Sequence, residues 1–241
     1  MRRTYTRRIF VAGSLFVSGI LGAWATHSES HSTKPEHASH PKRLLDENTP
    51  PETGADWENL QQLNPDIVAF LELTKSSLSQ PILTPRDTDD KEFYLCHNRN
   101  RQPDPYGCLQ LDYRCNLFSD HALVYGHHIL DDEYVGLGTI YRAYEPEVFQ
   151  SLGTLKITPK GSADPLIYFP LLACKVDASY TTIQRFEFES AHEKAAWIGE
   201  LQRYASARAE TSPLSDHLIT LCTCSSDVTG QRDRTLVVFA R

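Results

Sequence analysis

Thr220-Leu221-Cys222-Thr223-Cys224 stands near the end of the chain and leads within ten residues to Arg234 and a last apolar stretch, Leu236-Val237-Val238-Phe239. Both runs predict short strands, and together they set a thiol at a strand end with a guanidinium close by. A cysteine attacks as its thiolate, so it needs a base to take its proton or a cationic neighbour. Ninety-seven residues upstream of Cys224, Tyr125-Gly126-His127-His128 closes another short apolar run. If the two strands are neighbours, Cys224, His127 and Arg234 form one constellation. Gly126 is expected to allow a backbone turn that aims the next imidazole out of the strand end. Arg234, protonated at any working pH, can hold the oxygen of a carbonyl as it becomes an oxyanion.

Working outward, further short strands are predicted at Ile67 to Leu71, Gly107 to Asp112, Ala122 to Tyr125, Gly153 to Thr158, Leu166 to Val176, His217 to Thr223 and Thr235 to Ala240. Their regular spacing suggests a barrel or sandwich. Asp56 is expected to cap a short helix carrying Trp57, Leu60 and Leu63, which Asn64-Pro65-Asp66 ends, because proline lacks a donor and biases its predecessor away from the helix. From Ser190 to about Arg208, Trp197, Leu201 and Tyr204 recur at helical spacing, with Ser190 as N-cap.

The front of the chain differs. Arg2, Arg3, Arg7 and Arg8 precede a 17-residue apolar run, Ile9 to Ala25, at the short end of what crosses a bilayer as a helix. This is the layout of an export signal, retained as an anchor or cleaved after Ala23-Trp24-Ala25. The expected organisation is a basic cytoplasmic segment over 1–8, a transmembrane signal-anchor over 9–25, a flexible extracellular linker over 26–55 and a catalytic domain over 56–241. That makes the chain a single-pass protein of the cell membrane with its catalytic domain outside. A net charge of −7 argues against nucleic acid as a partner.

Outside the cytosol the six cysteines can be oxidised. One disulfide among Cys96, Cys108 and Cys115 is plausible; buried free thiols are the other reading. Their spacings do not resemble zinc pairs, and neither a metal nor a cofactor is expected.

The order of these elements resembles the class B sortases, cysteine transpeptidases of Gram-positive cell surfaces. The likeness runs from Trp57 to Arg241. It is carried by Trp57 with Asn64-Pro65-Asp66-Ile67-Val68-Ala69-Phe70, by Tyr94-Leu95, and by Gly107-Cys108-Leu109-Gln110-Leu111-Asp112-Tyr113-Arg114-Cys115-Asn116. Val124-Tyr125-Gly126-His127, Leu221-Cys222-Thr223-Cys224 and Arg234-Thr235-Leu236-Val237-Val238 complete it. The resemblance implies a mainly β fold with helices, an eight-stranded sortase barrel with an N-terminal helix and a long helix between late strands.

It also implies the chemistry. Cys224 would attack the carbonyl after the Thr of a C-terminal sorting signal on a surface protein, forming a thioacyl enzyme. An amine of a cell-wall precursor or a pilin would resolve it. His127 would carry the proton transfers, Arg234 would hold substrate and oxyanion, and Tyr125, Cys222 and Thr223 would bind substrate. His128 and Arg232 compete with His127 and Arg234, and the signature ranks them second. Asp227 is the nearest acidic residue after the nucleophile. Cys222 stands where this class often has Ser. Residues two apart in a strand share a face, so it lies beside Cys224, either as a small filler or as a thiol that oxidation couples to the nucleophile. The alternatives are an exported cysteine peptidase that lets water resolve the thioacyl, and an anchored binding module without catalysis.

Overall fold

The computed structural model describes residues 54–128, 136–210, 216–225 and 232–241. Among the described residues nine strands pair in the order β5-β1-β2-β3-β4-β8-β9-β6-β7, and a further β5–β6 pairing closes the first eight into a barrel. They are β1 Ile67–Leu73, β2 Ser79–Leu83, β3 Leu109–Leu111, β4 His121–Tyr125, β5 Leu155–Pro159, β6 Leu166–Asp177, β7 Ala205–Arg208, β8 Leu218–Cys224 and β9 Asp233–Ala240. Among the described residues three α-helices accompany them: α1 Gly54–Leu63, α2 Pro146–Ser151 and α3 Ala191–Tyr204.

Strand alternation divides the apolar residues into two layers. Leu71, Ile82, Leu109, Val124, Leu221, Val237 and Phe239 point inward and fill the barrel. On the outer face, Leu123, Leu172, Cys174, Cys222, Leu236 and Val238 pack under Trp197 and Leu201 of α3. Phe70 points out of the barrel by alternation, and a shift of register in β1 between Ile67 and Ala69 puts Ile67 on the same outward face. They pack with Trp57 of α1 and with Tyr94, both buried.

The structure adjusts several boundaries. Helix α1 starts at Gly54, which puts Asp56 in its first turn and the helix start within the expected linker. Ser190 caps α3 as expected, its hydroxyl accepting from the Glu193 amide at 3.2 Å. The helix ends at Tyr204, and 205–208 leave it to pair with β6 as strand β7, because Ala205 is already extended (φ −71°, ψ 119°). Strand β2 was not anticipated, since Pro81 stands in its middle. It is tolerated there because β3 reaches only Ile82 and Leu83, leaving the proline opposite a single neighbour, Phe70. The six cysteines are all free, so of the two readings of Cys96, Cys108 and Cys115 the structure has free thiols, with only Cys108 of the three buried.

The expectation of a membrane-spanning chain with an extracellular domain is corrected here. Among the described residues no helix is long and apolar enough to cross a membrane. The longest, α3, has 14 residues and a largely polar sequence, against the roughly 20 apolar residues a span needs. Residues 9–25, on which that expectation rested, lie outside the described residues, as do residues 26–53 of the expected linker.

Candidate active site

Strands β4 and β8 run parallel with Tyr125 opposite Cys222, so both leave the sheet at the same end. The Gly126 amide extends their ladder by donating to the Cys222 carbonyl at 3.1 Å. Strand β9 enters antiparallel to β8 at that end, with Arg234 opposite Cys224. A single local pairing pattern thus gathers residues 97 positions apart in sequence.

Cys224 and Cys222 share the outer face, and Arg234 and Leu236 stand across from them on β9. Arg234 Nη1 donates to Cys224 Sγ at 3.4 Å and reaches the Asp233 carbonyl at the same distance. The sulfur is half-buried with a permanent cation in hydrogen-bond reach. Arg232 is exposed. Cys222 is only 6 % exposed. Burial pushes its thiol up to about 12, with the Arg234 charge opposing in part. Two strand residues span about 6.6 Å with side chains parallel, beyond the Cβ separation that a disulfide takes. While the β8 ladder holds, Cys222 and Cys224 cannot bridge.

His127 follows the ladder directly. Its Nε2 donates to the Leu95 carbonyl at 2.6 Å, and its own carbonyl accepts from the Leu137 amide at 2.7 Å. Gly136 makes that approach feasible: its φ is +57°, and a Cβ would stand 2.3 Å from the His127 oxygen. Gly126 serves differently from expectation. It is not among the glycines of positive φ; rather, a Cβ there would stand 2.7 Å from the Leu109 side chain and 2.8 Å from that of Leu137. Packing, not backbone freedom, requires it. His128 stacks on Tyr141 with ring centroids 3.8 Å apart. Asp227 lies outside the described residues.

Of the residues expected to bind substrate, Tyr125 donates its hydroxyl to Asp112 Oδ2 at 3.1 Å. Burial raises its pKa, and the Asp112 charge adds to that. Thr223 is buried and shares the inward face with Leu221, while Cys222 lies under the outer cluster. Neither offers a solvent-facing side chain.

Three further groups bear on this region without having been given a role from the sequence, although Arg114 and Leu95 stand in the motifs quoted above. Arg114 grips Asp112 with two bonds, at 2.9 and 2.6 Å, and so braces the acceptor of Tyr125. An aspartate and an arginine two apart signal such a pair only once a turn is known. His121, fully buried on β4, has Nδ1 on the Arg185 carbonyl at 2.7 Å and Nε2 on Thr220 Oγ1 at 2.8 Å. It ties the segment after β6 to β8, and burial brings its pKa down from 6.5 to about 4. The third is the Leu95 carbonyl, a backbone atom that no side-chain motif announces.

No family model matches the chain. It is 24 % identical over 192 residues to sortase B of Staphylococcus aureus, spanning 77 % of this chain and 73 % of that protein. It is 35 % identical over 78 residues to sortase B of Listeria monocytogenes, spanning 32 % and 30 %. Among solved structures, a Staphylococcus aureus sortase B–substrate complex superposes with a TM-score of 0.66 at 21 % identity, covering 78 % of this chain and 85 % of that one. Clostridium perfringens sortase B gives a TM-score of 0.66 at 20 % identity over 76 % and 97 %. In sequence, then, this chain is similar to sortase B, and its fold is that of the solved sortase B structures.

Proposed function

We propose that Cys224 is the nucleophile of a transpeptidase that cuts a C-terminal sorting signal after Thr and passes the acyl group to an amine. The observation that carries this reading is the parallel β4–β8 pairing, which brings His127 and Cys224 to one end of the sheet with an Arg234 N–H on the sulfur. In the first half-reaction His127 takes the thiol proton and the sulfur attacks the carbonyl carbon. As the C–N bond breaks, the proton passes to the departing amine. Arg234 is within reach to follow the charge from sulfur to oxyanion. In the second half an amine attacks the thioacyl carbon and gives one proton to His127 as the C–N bond forms; Cys224 leaves as the thiolate when the C–S bond breaks and takes that proton back. The amine belongs to a cell-wall precursor or a pilin, and the donor is a surface protein with a sorting signal. Homology to sortase B supports that donor class.

Incubation of the purified protein with a labelled sorting peptide of the Asn-Pro type, with and without an amine acceptor, tests the reading. Cys224→Ala and His127→Ala should each abolish the thioacyl species and the transfer product. Product formation surviving in Cys224→Ala would end the proposal. Hydrolysed peptide as the dominant product with acceptor present would turn it into a peptidase.

A further inference from the structure

The groups that fix Cys224 are strand partners, whereas His127 is fixed from outside the sheet by the Leu95 carbonyl. We infer that this carbonyl is the positioning group of His127 and that it makes Nδ1 the nitrogen that exchanges protons with Cys224 and with the amine. The inference rests on the transpeptidase reading above for its chemistry, and on geometry for the rest. A carbonyl oxygen accepts and never donates, so the 2.6 Å contact places a proton on Nε2 of the neutral ring. Only Nδ1 then has a free lone pair.

The proton of the Cys224 thiol moves to Nδ1 as the S–C bond forms. It leaves from Nδ1 to the amine nitrogen as the C–N bond breaks. Nε2 keeps its proton through the whole cycle. While the ring is cationic, its bond to the carbonyl becomes charge-assisted and stronger, which favours the intermediate.

Leu95 is held as a positioning group should be. It closes the 3-10 turn Phe93–Leu95, with its amide on the Glu92 carbonyl at 2.9 Å. The neighbouring Tyr94 carbonyl accepts from the Cys108 amide at 2.7 Å, and the Tyr94 amide donates to Gln110 Oε1 at 2.9 Å. Gly107 presses against this turn with φ +57°, so closely that a Cβ would stand 2.7 Å from both C and O of Leu95. Below, the buried Tyr94 hydroxyl donates to Asp66 Oδ2 at 2.7 Å and accepts from Asn64 Nδ2 at 2.8 Å. Arg101 completes the group on the same carboxylate oxygen at 2.7 Å. Buried polar groups are stabilising only when paired, so such a network fixes the turn in one place. Asn64, Asp66, Tyr94 and Gly107, remote from the thiol in sequence, thereby act on the imidazole through one backbone oxygen.

The experiment is the tautomer of His127 in the full chain labelled with 15N-histidine, together with the rate at which iodoacetamide alkylates Cys224. The wild-type neutral ring should carry its proton on Nε2. In Gly107→Ala, which drives a methyl into Leu95, the ring should become a tautomer mixture and alkylation should slow on the order of tenfold. Should that variant not fold, Tyr94→Phe, which only releases the hydroxyl network, should move both readouts the same way by a smaller amount. A wild-type ring protonated on Nδ1 would overturn the inference. So would alkylation that stays at the wild-type rate in a folded variant whose ring has lost its Nε2–H preference. The tautomer can be read in Cys224→Ala as well, so a failure of the transpeptidase reading is distinguishable from a failure of this one.

Discussion

On one side of the site, Cys224 and Arg234 face each other as partners in a seven-pair antiparallel ladder, Leu218↔Ala240 to Cys224↔Arg234. On the other, His127 lies past the end of its strand and takes its place from Leu95, Leu137 and the glycine at 136. A ladder spreads its constraint over many hydrogen bonds, so no single side chain sets the spacing of sulfur and guanidinium. The histidine depends on a few contacts between segments far apart in sequence. The geometry of Cys224 and Arg234 is therefore expected to survive substitutions that misplace His127.

That contrast can be broken most severely at Arg234. Arg234→Lys keeps the charge but loses the planar fork, and peptide transfer should fall on the order of 100- to 1000-fold with the fold intact. A loss below about threefold, with unaltered circular dichroism, would mean that charge rather than guanidinium geometry matters on the ladder side.

Acid should come next. His121 ties the Arg185 carbonyl to Thr220 on β8 and is neutral in the fold. Burial lowers its pKa to about 4 from 6.5, so the folded state disfavours its proton. Its contribution is complete above the unfolded value and is lost as pH falls through the folded one. The loss amounts to about 3 kcal/mol between about pH 7 and about pH 4. Urea midpoints across that range should show it, and His121→Gln, neutral throughout, should flatten the slope. An equal slope in both proteins would remove His121 from the account.

The smallest effect is expected at Cys222. Cys222→Ser buries a hydroxyl under α3, and should cost about 1–3 kcal/mol while leaving the transfer rate within about threefold, since the ladder and not this thiol places Cys224. Mass spectrometry of air-oxidised wild-type protein should find no Cys222–Cys224 link. Finding one would mean that the end of β8 opens more readily than its pairing implies.

The same contrast explains what could be read from the chain. Cys224, His127 and Arg234 were legible because a short apolar run followed by a reactive residue is a local pattern, and the structure brings those three to one end of the sheet. Most barrel strands were legible for the same reason. Pro81 hid β2, because its tolerance depends on how far β3 extends along it. Ala205 to Arg208 read as helix, since their strand pairing is a property of β6 and not of their own sequence. Gly126 was placed correctly on the wrong ground, because the side chains it accommodates, Leu109 and Leu137, are distant in sequence. Leu95 was invisible as a functional residue: it contributes a carbonyl, which every residue has.

Closing the barrel through β5 and β6 has one more consequence, at β7. An open strand edge is a template on which another chain can hydrogen-bond. Here that edge is four residues long and ends in Arg208, whose guanidinium folds back onto the Gln202 and Ala205 carbonyls. Its Ser206 hydroxyl is tied to the Tyr144 carbonyl at 2.5 Å, just before α2. At high concentration the folded protein thus presents β7 as a short, charged and partly occupied margin, poor ground for seeding edge-to-edge aggregates.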